Sequence, residues 1–281
     1  MIISIASGKG GTGKTTVATN LARAICDSRL EKVQFLDCDV EEPNAHIFLK
    51  PEISSSKPVA IPVPEVDNDQ CDGCGKCSEV CAYSAIAVIK GKVLLFPELC
   101  HGCGGCFLLC PRQAITEGRR EVGVVEKGRA GELEFIQGKL RIGEAMSSPL
   151  IRAVKSCIAD DKITIIDVPP GTSCPVIETV KKSDFCILVT EPTPFGLNDL
   201  TLAVEVLRTL QIPFGVVINR AGVGDEKVSQ YCQREGIPIL MHIPQDKEIA
   251  MAYSKGILLI SNKPEWENRF RDLYNQMRRI V

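Results

Sequence analysis

The sequence predicts an α/β fold, with a mostly parallel sheet flanked by helices and a smaller α+β unit inserted into it. Three observations support this prediction. A short apolar run at Ile2–Ala6 leads into a glycine-rich loop and then into a helical pattern of apolar residues. Strand and helix patterns alternate again from residue 163 to the end of the chain. Between these parts lies a block that holds eight of the fourteen cysteines.

Composition and charge exclude several classes of protein. The 281 residues are 44% hydrophobic and 24% charged, which is ordinary for a globular protein. A net charge of −2 lacks the basic excess of nucleic-acid binders, so we expect no nucleic-acid partner. The sequence contains neither a long apolar run nor a signal peptide, and its cysteines favour metal over disulfides. We therefore expect a cytoplasmic protein without stable membrane association.

The first elements form a strand, loop, helix and strand, at Ile2–Ala6, Thr15–Ile25 and Val33–Leu36. From about Pro51 the chain is rich in Ser and Pro, which predicts a linker before the cysteine block. Residues 119–143 show alternating patterns around glycines, which predict strands joined by turns. The later predicted elements are helix Pro149–Ile158, strands Ile163–Asp167 and Phe185–Thr190, helix Asn198–Leu210, strand Phe214–Asn219, helix Glu226–Glu235, strand Ile239–Ile243 and helix Glu265–Ile280.

These patterns predict one discontinuous domain, residues 1–64 and 119–281, interrupted by an insert at residues 65–118. The closing helix places Trp266, Phe270 and Leu273 on one face. Its opposite face carries charges of both signs, unlike a lipid-binding helix, so we expect it to pack on the main domain.

Residues 8–15 have the sequence GKGGTGKT, the pattern of a phosphate-binding loop. Its glycines let backbone N–H groups point at phosphates, at the positive end of the following helix. Lys14 is expected to reach the β- and γ-phosphates, and the Thr15 hydroxyl to ligate Mg²⁺. A glycine-rich turn without a ligand is the alternative. The expected nucleotide contacts here are Gly8, Lys9, Gly10, Gly11, Thr12, Gly13, Lys14, Thr15 and Thr16.

Lys9 directly follows the first glycine, so the segment from Lys9 to Thr15 resembles the deviant Walker A motif of the MinD/ParA/Mrp class of P-loop ATPases, which includes the nitrogenase iron protein. The resemblance implies a homodimer that sandwiches ATP, hydrolyses it to ADP and phosphate, and uses Lys9 on the partner subunit's nucleotide. A solvated surface lysine is the alternative for Lys9. The catalytic residues implied are Lys9, Lys14 and Asp39.

Four further segments are similar to this family, which the chain resembles over nearly all residues outside the insert. Asp37 and Asp39 look like switch I, with Asp39 orienting the attacking water and Asp37 supporting the Mg²⁺ shell. Asp167 to Gly171 resembles switch II, with Asp167 contacting Mg²⁺ through water. The implied metal residues are thus Thr15, Asp37 and Asp167, and the implied base-side residues are Asn219, Arg220, Pro244, Gln245 and Asp246. An aspartate at a strand end can also simply cap a helix.

Eight cysteines form two runs with the spacing C-x2-C-x2-C-x3-C, in which the fourth cysteine ligates the other [4Fe–4S] cluster. This rule assigns Cys71, Cys74, Cys77 and Cys110 to one cluster, and Cys81, Cys100, Cys103 and Cys106 to the other. Zinc is the competing interpretation, which two identical runs disfavour. The insert resembles a bacterial two-cluster ferredoxin, which implies a βαββαβ order. Pro111 follows Cys110 as in that family. Ala82 stands where the first proline, the one after Cys81, should be, which removes a turn constraint and no ligand.

The leading hypothesis is a homodimeric ATPase whose nucleotide state controls two clusters, acting on a redox partner or a metallocluster-accepting partner. A MinD-like spatial organiser with structural clusters and an ATP-dependent ligase or synthetase are the alternatives. Among the other cysteines, five are expected to be buried, whereas Cys174 follows switch II. Burial beside switch II is the favoured interpretation of Cys174, and a bridging or redox role is the alternative.

Overall fold

The computed structural model describes residues 1–29 and 31–280. The strands are β1 (Ile2–Ala6), β2 (Val33–Asp37), β3 (Glu52–Val66), β4 (Ile86–Ile89), β5 (Lys92–Leu95), β6 (Ile115–Ala130), β7 (Leu133–Leu140), β8 (Ile163–Asp167), β9 (Phe185–Thr190), β10 (Phe214–Ala221) and β11 (Ile239–Pro244). Nine of them form one sheet in the order β11-β10-β9-β1-β8-β2-β7-β6-β3. All pairs from β11 to β7 are parallel, whereas β6 and β3 add antiparallel strands at one edge.

The helices alternate with the strands, as the α/β prediction requires. They are α1 (Lys14–Asp27), α2 (Ala45–Leu49), α3 (Lys76–Val80), α4 (Gly105–Leu108), α5 (Ser148–Lys155), α6 (Cys174–Val180), α7 (Pro194–Thr209), α8 (Lys227–Arg234), α9 (Lys247–Ser254), α10 (Leu259–Asn262) and α11 (Glu265–Ile280). The short helices α2, α6, α9 and α10 are missing from the sequence prediction, and α5 ends before the predicted Ile158.

Two apolar layers cover the faces of the parallel sheet. Because side chains alternate across a strand, Phe35 of β2 packs with α1 and α11, while Leu36 packs with α5 on the opposite face. The central strands β1, β2, β8 and β9 are buried along nearly their whole length, which is why they form uninterrupted apolar runs in the sequence.

The closing helix α11 buries one face against the main domain, as predicted. Its buried side chains are Trp266, Phe270, Leu273, Tyr274 and Met277, in the same apolar layer as α1. Among the helices of the described residues, none has both the length and the apolar character needed to cross a bilayer.

The Ser- and Pro-rich stretch after Pro51 is strand β3, so the prediction of a linker there is wrong. β3 pairs antiparallel with β6 along nearly its whole length, down to Val66 opposite Ile115. Its prolines are compatible with a strand because β3 lies at the sheet edge, where one side needs no backbone donor.

The β6–β7 ladder ends where Gly123 pairs with Leu140, but β3 and β6 continue beyond it. Residues 60–66 and 115–122 therefore form a two-stranded extension, here called the arm. The cysteine block sits at the end of the arm and contains α3, the β4–β5 hairpin and α4. With the arm strands on either side, the elements follow the order strand, helix, strand, strand, helix, strand.

Candidate functional site

The phosphate-binding loop lies between β1 and α1, at the carboxyl edge of the sheet. Gly13 precedes α1 with a left-handed φ of 95°, and no side chain in residues 1–29 and 31–280 caps this helix. Its first N–H groups are thus free to face an anion. Gly8 is held close to α7, because a Cβ there would lie 2.4 Å from the carbonyl oxygen of Asp199. The loop therefore has the shape and the donors of a phosphate cradle.

Lys14 and Thr15 follow the loop and point toward carboxylates at the ends of β2 and β8. The Thr15 hydroxyl donates to Asp167 Oδ2 at 2.6 Å, and Lys14 Nζ lies 3.8 Å from Asp39 Oδ2. Asp37 and Asp167 occupy paired positions on the neighbouring strands and are both fully buried. Lys14 thus lies beside Asp39 and Asp167, and Asp37 pairs with Asp167 on the next strand.

Burial shifts the acid–base properties of all three aspartates. Loss of hydration raises the pKa of Asp37 well above its usual value, and the charge of Asp167 adds to this effect. Burial also raises the pKa of Asp167, although Lys14 and the Thr15 hydroxyl oppose the shift. The pKa of Asp39 rises to about 6, again through burial and against the effect of Lys14. The site carries an excess of negative charge at low dielectric.

These residues fit a hydrated Mg²⁺ ion. Within the described part of the chain, the buried Asp167 Oδ1 has no hydrogen-bond partner, while its Oδ2 is shared with the Thr15 hydroxyl. Hydroxyl and carboxylate oxygens are the donors that Mg²⁺ prefers. Asp37 is placed differently, because its oxygens accept backbone N–H groups from Asp39 and Ala45, both at 3.1 Å. That arrangement suits support of the metal shell rather than direct ligation.

Lys9 lies apart from Lys14. Its Nζ is 3.8 Å from Glu191 Oε2, and the other oxygen of Glu191 lies 2.9 Å from Arg220 Nη1. The side chain of Lys9 is 37% exposed, whereas that of Glu191 is 10% exposed. Lys9 is therefore held by a mostly buried carboxylate at a face open to solvent.

The base-side residues are divided between two strands. Asn219 on β10 donates from Nδ2 to the carbonyl oxygen of Thr12 at 2.8 Å, which joins it to the phosphate-binding loop. Pro244 pairs with Ala221 on the neighbouring strand, and Gln245 donates its N–H to Ala221 at 3.0 Å. Asp246 caps α9 and forms an ion pair with Lys263. Asn219 is thus in direct contact with the loop, while Asp246 also has a structural role.

The eight cysteines of the two runs line two cavities, four in each. The proximal cavity, named for its position near the main sheet, is lined by Cys81, Cys100, Cys103 and Cys106. The distal cavity is lined by Cys71, Cys74, Cys77 and Cys110. Each cavity therefore combines three cysteines of one run with the fourth cysteine of the other.

The position of each cavity along the arm follows from its other lining residues. The proximal cavity contacts Pro62 to Pro64 of β3, opposite Glu117 of β6. The distal cavity contacts Val66 and Ile115, the last pair of the ladder. The proximal cavity is therefore nearer the main sheet.

Backbone donors and close glycine contacts repeat around the two cavities. Cys81 Sγ accepts the N–H of Ala85 at 3.2 Å, and Cys110 Sγ accepts that of Ala114 at 3.3 Å, each four residues further on. Cys100 Sγ also accepts an N–H, from Gly102 at 3.4 Å. Such donors stabilise thiolate sulfur and tune cluster potentials.

Glycines allow the cysteine loops to approach neighbouring backbone. Gly73 has a φ of 69°, and a Cβ there would lie 2.5 Å from the carbonyl oxygen of Gly91. Gly102 has a φ of 66° and lies against Pro62 of the arm. The proximal cavity also contacts a stacked pair, Tyr83 and His101, whose ring centroids are 3.6 Å apart. In residues 1–29 and 31–280, no three His, Cys, Asp or Glu side chains converge on a single metal ion.

Of the six remaining cysteines, Cys26, Cys38, Cys186 and Cys232 are buried as expected, whereas Cys157, which is also predicted to be buried, is only half-buried. Cys174 is exposed at the first residue of α6. This position contradicts the expectation that Cys174 is buried beside switch II.

Three features of the site are not evident from sequence patterns. Glu191 contacts both Lys9 and Arg220 and follows β9 in an ordinary Glu-Pro pair. Lys155 donates to three carbonyl oxygens at the end of α6, those of Glu178, Thr179 and Lys181, at 2.7 to 2.8 Å. Arg120 forms a buried ion pair with Glu144. These partners are far apart in sequence, so only the fold brings them together.

Comparison with known proteins identifies the family. Residues 3–260 match the family model described as the CobQ/CobB/MinD/ParA nucleotide binding domain. The chain belongs to this family. It is therefore a MinD/ParA-type P-loop ATPase, as the sequence predicts, with a mostly parallel sheet flanked by helices.

Relatives and solved structures agree with this assignment. An uncharacterized protein of Methanocaldococcus jannaschii is 32% identical over 285 residues, which cover 100% of this chain and 98% of that protein. An iron–sulfur cluster carrier protein of Pyrococcus horikoshii is 24% identical, over 92% of this chain and 78% of its own length. The structure of the septum site-determining protein MinD of P. horikoshii with Mg-ADP is 21% identical, with a TM-score of 0.59 over 98% of this chain and 94% of that one. The likeness to this MinD structure is a likeness of fold.

Proposed function

We propose that this ATPase works as a homodimer whose nucleotide state controls two [4Fe–4S] clusters held by a ferredoxin-like insert. The observation that carries the proposal is the arrangement of the eight cysteines around two cavities, three from one run and one from the other. That crossed arrangement is the ligand pattern of two-cluster ferredoxins.

The geometry of the cavities suits cubane clusters better than single ions. Each cysteine of a [4Fe–4S] cluster binds a different iron atom, so the four thiolates need not converge on one point. The sulfur atoms of Cys81, Cys100 and Cys110 already accept backbone N–H groups, as the sulfurs of bound clusters do. The strand and helix order of the insert is also that of a ferredoxin.

In the nucleotide site, we assign Lys14 to the β- and γ-phosphates. We assign Thr15 and Asp167 to Mg²⁺, and Asp37 to support of the Mg²⁺ shell. The metal supplies positive charge that stabilises the phosphates when bound. Asp39 orients the attacking water in ATP hydrolysis to ADP and phosphate. Lys9 lies at an open face, which supports a role on the nucleotide of the partner subunit.

The proposed output is electron delivery to a redox partner, because the sequence has no CxxC pair outside the insert to hold a labile cluster. The family relatives named iron–sulfur cluster carrier proteins favour a second candidate, transfer of a cluster to an acceptor protein. Incubation of the iron-loaded protein with an apo-ferredoxin distinguishes the two: retained iron supports electron delivery, whereas ATP-dependent loss of iron to the acceptor supports transfer.

Anaerobic purification followed by iron, zinc and acid-labile sulfide analysis tests the central claim. We expect about eight iron atoms per chain, the requirement of two cubanes. Cys74→Ser should lower the iron content, whereas the matched change of another exposed cysteine, Cys174→Ser, should not. About two zinc ions per chain instead of iron would contradict the proposal. ATP with Mg²⁺ should change the EPR signal or the reduction rate of the clusters, and the absence of any change would rule out nucleotide control.

A further inference from the structure

We propose that Arg120 and Glu144 are positioning residues that couple the nucleotide site to the proximal cavity. They join the segment after Asp39 to the loop that carries Cys100. This inference rests on the proposed function, because it requires ATP at the phosphate-binding loop and a cluster at Cys100. It adds a route for the coupling and predicts that the two cavities respond differently to nucleotide.

The first link connects the Asp39 segment to the end of β7. The carbonyl oxygen of Val40 accepts the N–H of Leu140 at 2.9 Å. The Val40 side chain packs over Gly138, where a Cβ would lie 2.5 Å from Val40 Cγ1. Val40 is therefore fixed to β7 by its backbone and by its side chain, so a displacement of Asp39 acts directly on this strand.

The second link connects β7 to the arm. Leu140 pairs with Gly123 of β6, and the next residue, Arg141, donates its N–H to Val122 at 2.9 Å. A turn follows in which the N–H of Glu144 donates to Arg141 at 3.0 Å. The end of β7 thus leads within a few residues to the carboxylate of Glu144.

The third link reaches the proximal cavity. The guanidinium of Arg120 forms an ion pair with Glu144 and donates from Nη2 to the carbonyl oxygen of Cys100 at 3.4 Å. Glu144 Oε1 also accepts the N–H of Met146 at 3.0 Å. The side chains of Glu144 and Arg120 are 2% and 13% exposed, so water does not weaken this pair as it weakens a surface pair.

The distal cavity has no equivalent link, because none of the described residues that line it forms a hydrogen bond or ion pair with Arg120 or Glu144. Cys100, by contrast, packs in one small apolar cluster with Val122 of the arm and Met146 of the loop after β7. A movement of that loop therefore reaches the proximal cavity first.

Competition for Lys14 provides the driving change. Its ammonium group lies 3.8 Å from Asp39, and a bound γ-phosphate attracts the same group more strongly because it carries more charge. Asp39 then loses its cationic neighbour and must move or find another donor. A second arrangement of the Asp39–Val40 segment, selected by the phosphate, is the two-state element that this coupling requires.

The test replaces the buried pair by apolar residues of similar size, as Arg120→Met with Glu144→Leu. Changing both partners avoids leaving one buried charge unpaired. The matched control is Arg208→Met with Glu235→Leu, an ion pair between α7 and the residue that follows α8, both outside the insert. Iron content and ATP hydrolysis are measured first in both variants, then the change that ATP and Mg²⁺ cause in the EPR signal of each cluster and in hydrogen exchange at residues 97–110.

We expect ATP to alter exchange at residues 97–110 in the wild type and in the control variant, and this response to fall about threefold or more in the Arg120/Glu144 variant. Equal responses in the two variants overturn the inference, and so does an unresponsive wild type. If ATP changes hydrogen exchange but leaves the EPR signal unchanged, the coupling route is supported and nucleotide control of cluster reduction is contradicted. The two proposals can therefore fail separately. If the double variant loses its iron, the milder Arg120→Lys, which keeps the charge but not the planar fork, must show the weakened response.

Discussion

The main domain and the insert differ sharply in how much apolar surface they bury. The main domain has two extensive apolar layers, one on each face of its parallel sheet. Within residues 65–118, all of which the structure describes, only Ala85, Ile86, Ala114 and Ile115 are buried. Nine large apolar side chains of the insert are exposed, namely Val80, Tyr83, Ile89, Leu94, Phe96, Leu99, Phe107, Leu108 and Leu109.

This difference indicates what each part needs in order to fold. A segment of this size with so small a core usually depends on a metal or a cross-link. The two four-cysteine cavities lie where the core of the insert would otherwise be. We infer that bound clusters act as the core of the insert, whereas the main domain is stable through its own packing.

Removal of iron should produce the largest difference between the insert and the main domain. With a chelator under oxidising conditions, residues 67–113 should lose protection in hydrogen exchange, because metal-binding energy is their folding energy. Strands β1, β2 and β8 should keep their protection. Loss of protection throughout the chain would show that the main domain also depends on the clusters, and retained protection of the insert would contradict its dependence on them.

Truncation of one aromatic side chain in each part should give the next largest difference, in the free energy of unfolding. Phe135 is fully buried and stacks on Phe35, with ring centroids 5.9 Å apart. Phe135→Ala should destabilise the protein by about 3–5 kcal/mol. Phe96 of the insert is 42% exposed, so Phe96→Ala should cost less than about 1 kcal/mol. Denaturant unfolding of the iron-loaded protein, monitored by circular dichroism, measures both losses of stability. Similar losses for the two variants would contradict the difference in packing between the main domain and the insert.

Substitution of Lys14 should separate ATP hydrolysis from cluster binding. Lys14→Met removes the cation that faces the phosphates, so ATP hydrolysis should fall by about 10²–10³-fold, the usual effect of losing one such group. Iron content should stay at the wild-type value, because Lys14 begins α1 and forms its ion pair with Asp39, both outside the insert. The exposed Lys32, paired with Asp161 on the surface, provides a control as Lys32→Met. An iron loss on Lys14→Met would show that the nucleotide site also maintains the clusters.

A small pH effect should be confined to the main domain. Burial and the charge of Lys139 lower the pKa of His46 below its usual value of 6.5, although Glu126 opposes the shift. Its neutral form therefore stabilises the fold above pH 6.5, and that contribution is lost as pH falls through the lowered pKa. His46→Gln should reduce the loss of stability between pH 7 and 5. Thermal unfolding at several pH values measures it, and an unchanged pH profile would contradict the assignment.

How well the sequence predicted an element depended on how local its cause is. The bounds of β1, β8, β9 and α11 agree with the prediction because each is a compact apolar run or an amphipathic repeat. β3 was missed because its Ser and Pro residues resemble a linker, and only pairing with β6 makes it a strand. The short helices α2, α6, α9 and α10 are not predicted because their lengths of four to eight residues show too little periodicity.

The same distinction applies to the candidate site. The loop from Gly8 to Thr15 and the cysteine runs have fixed spacings, so their chemistry could be predicted from neighbouring residues. The bonds from Thr15 to Asp167 and from Asn219 to Thr12 join distant positions that the family resemblance had placed together. The pair Arg120–Glu144 has no periodic signal, and its function depends wholly on where β7 meets the arm.

The prolines of β3 have a consequence for how copies of this protein meet. Pro58, Pro62 and Pro64 are separated by even numbers of residues, so their nitrogen atoms face the same side of the strand. Since β6 occupies the other side, the free edge lacks N–H donors at three positions. A strand from another molecule therefore finds too few partners to extend the sheet there. The prolines therefore disfavour edge-to-edge pairing of β3 with another molecule, whether or not a cluster is bound.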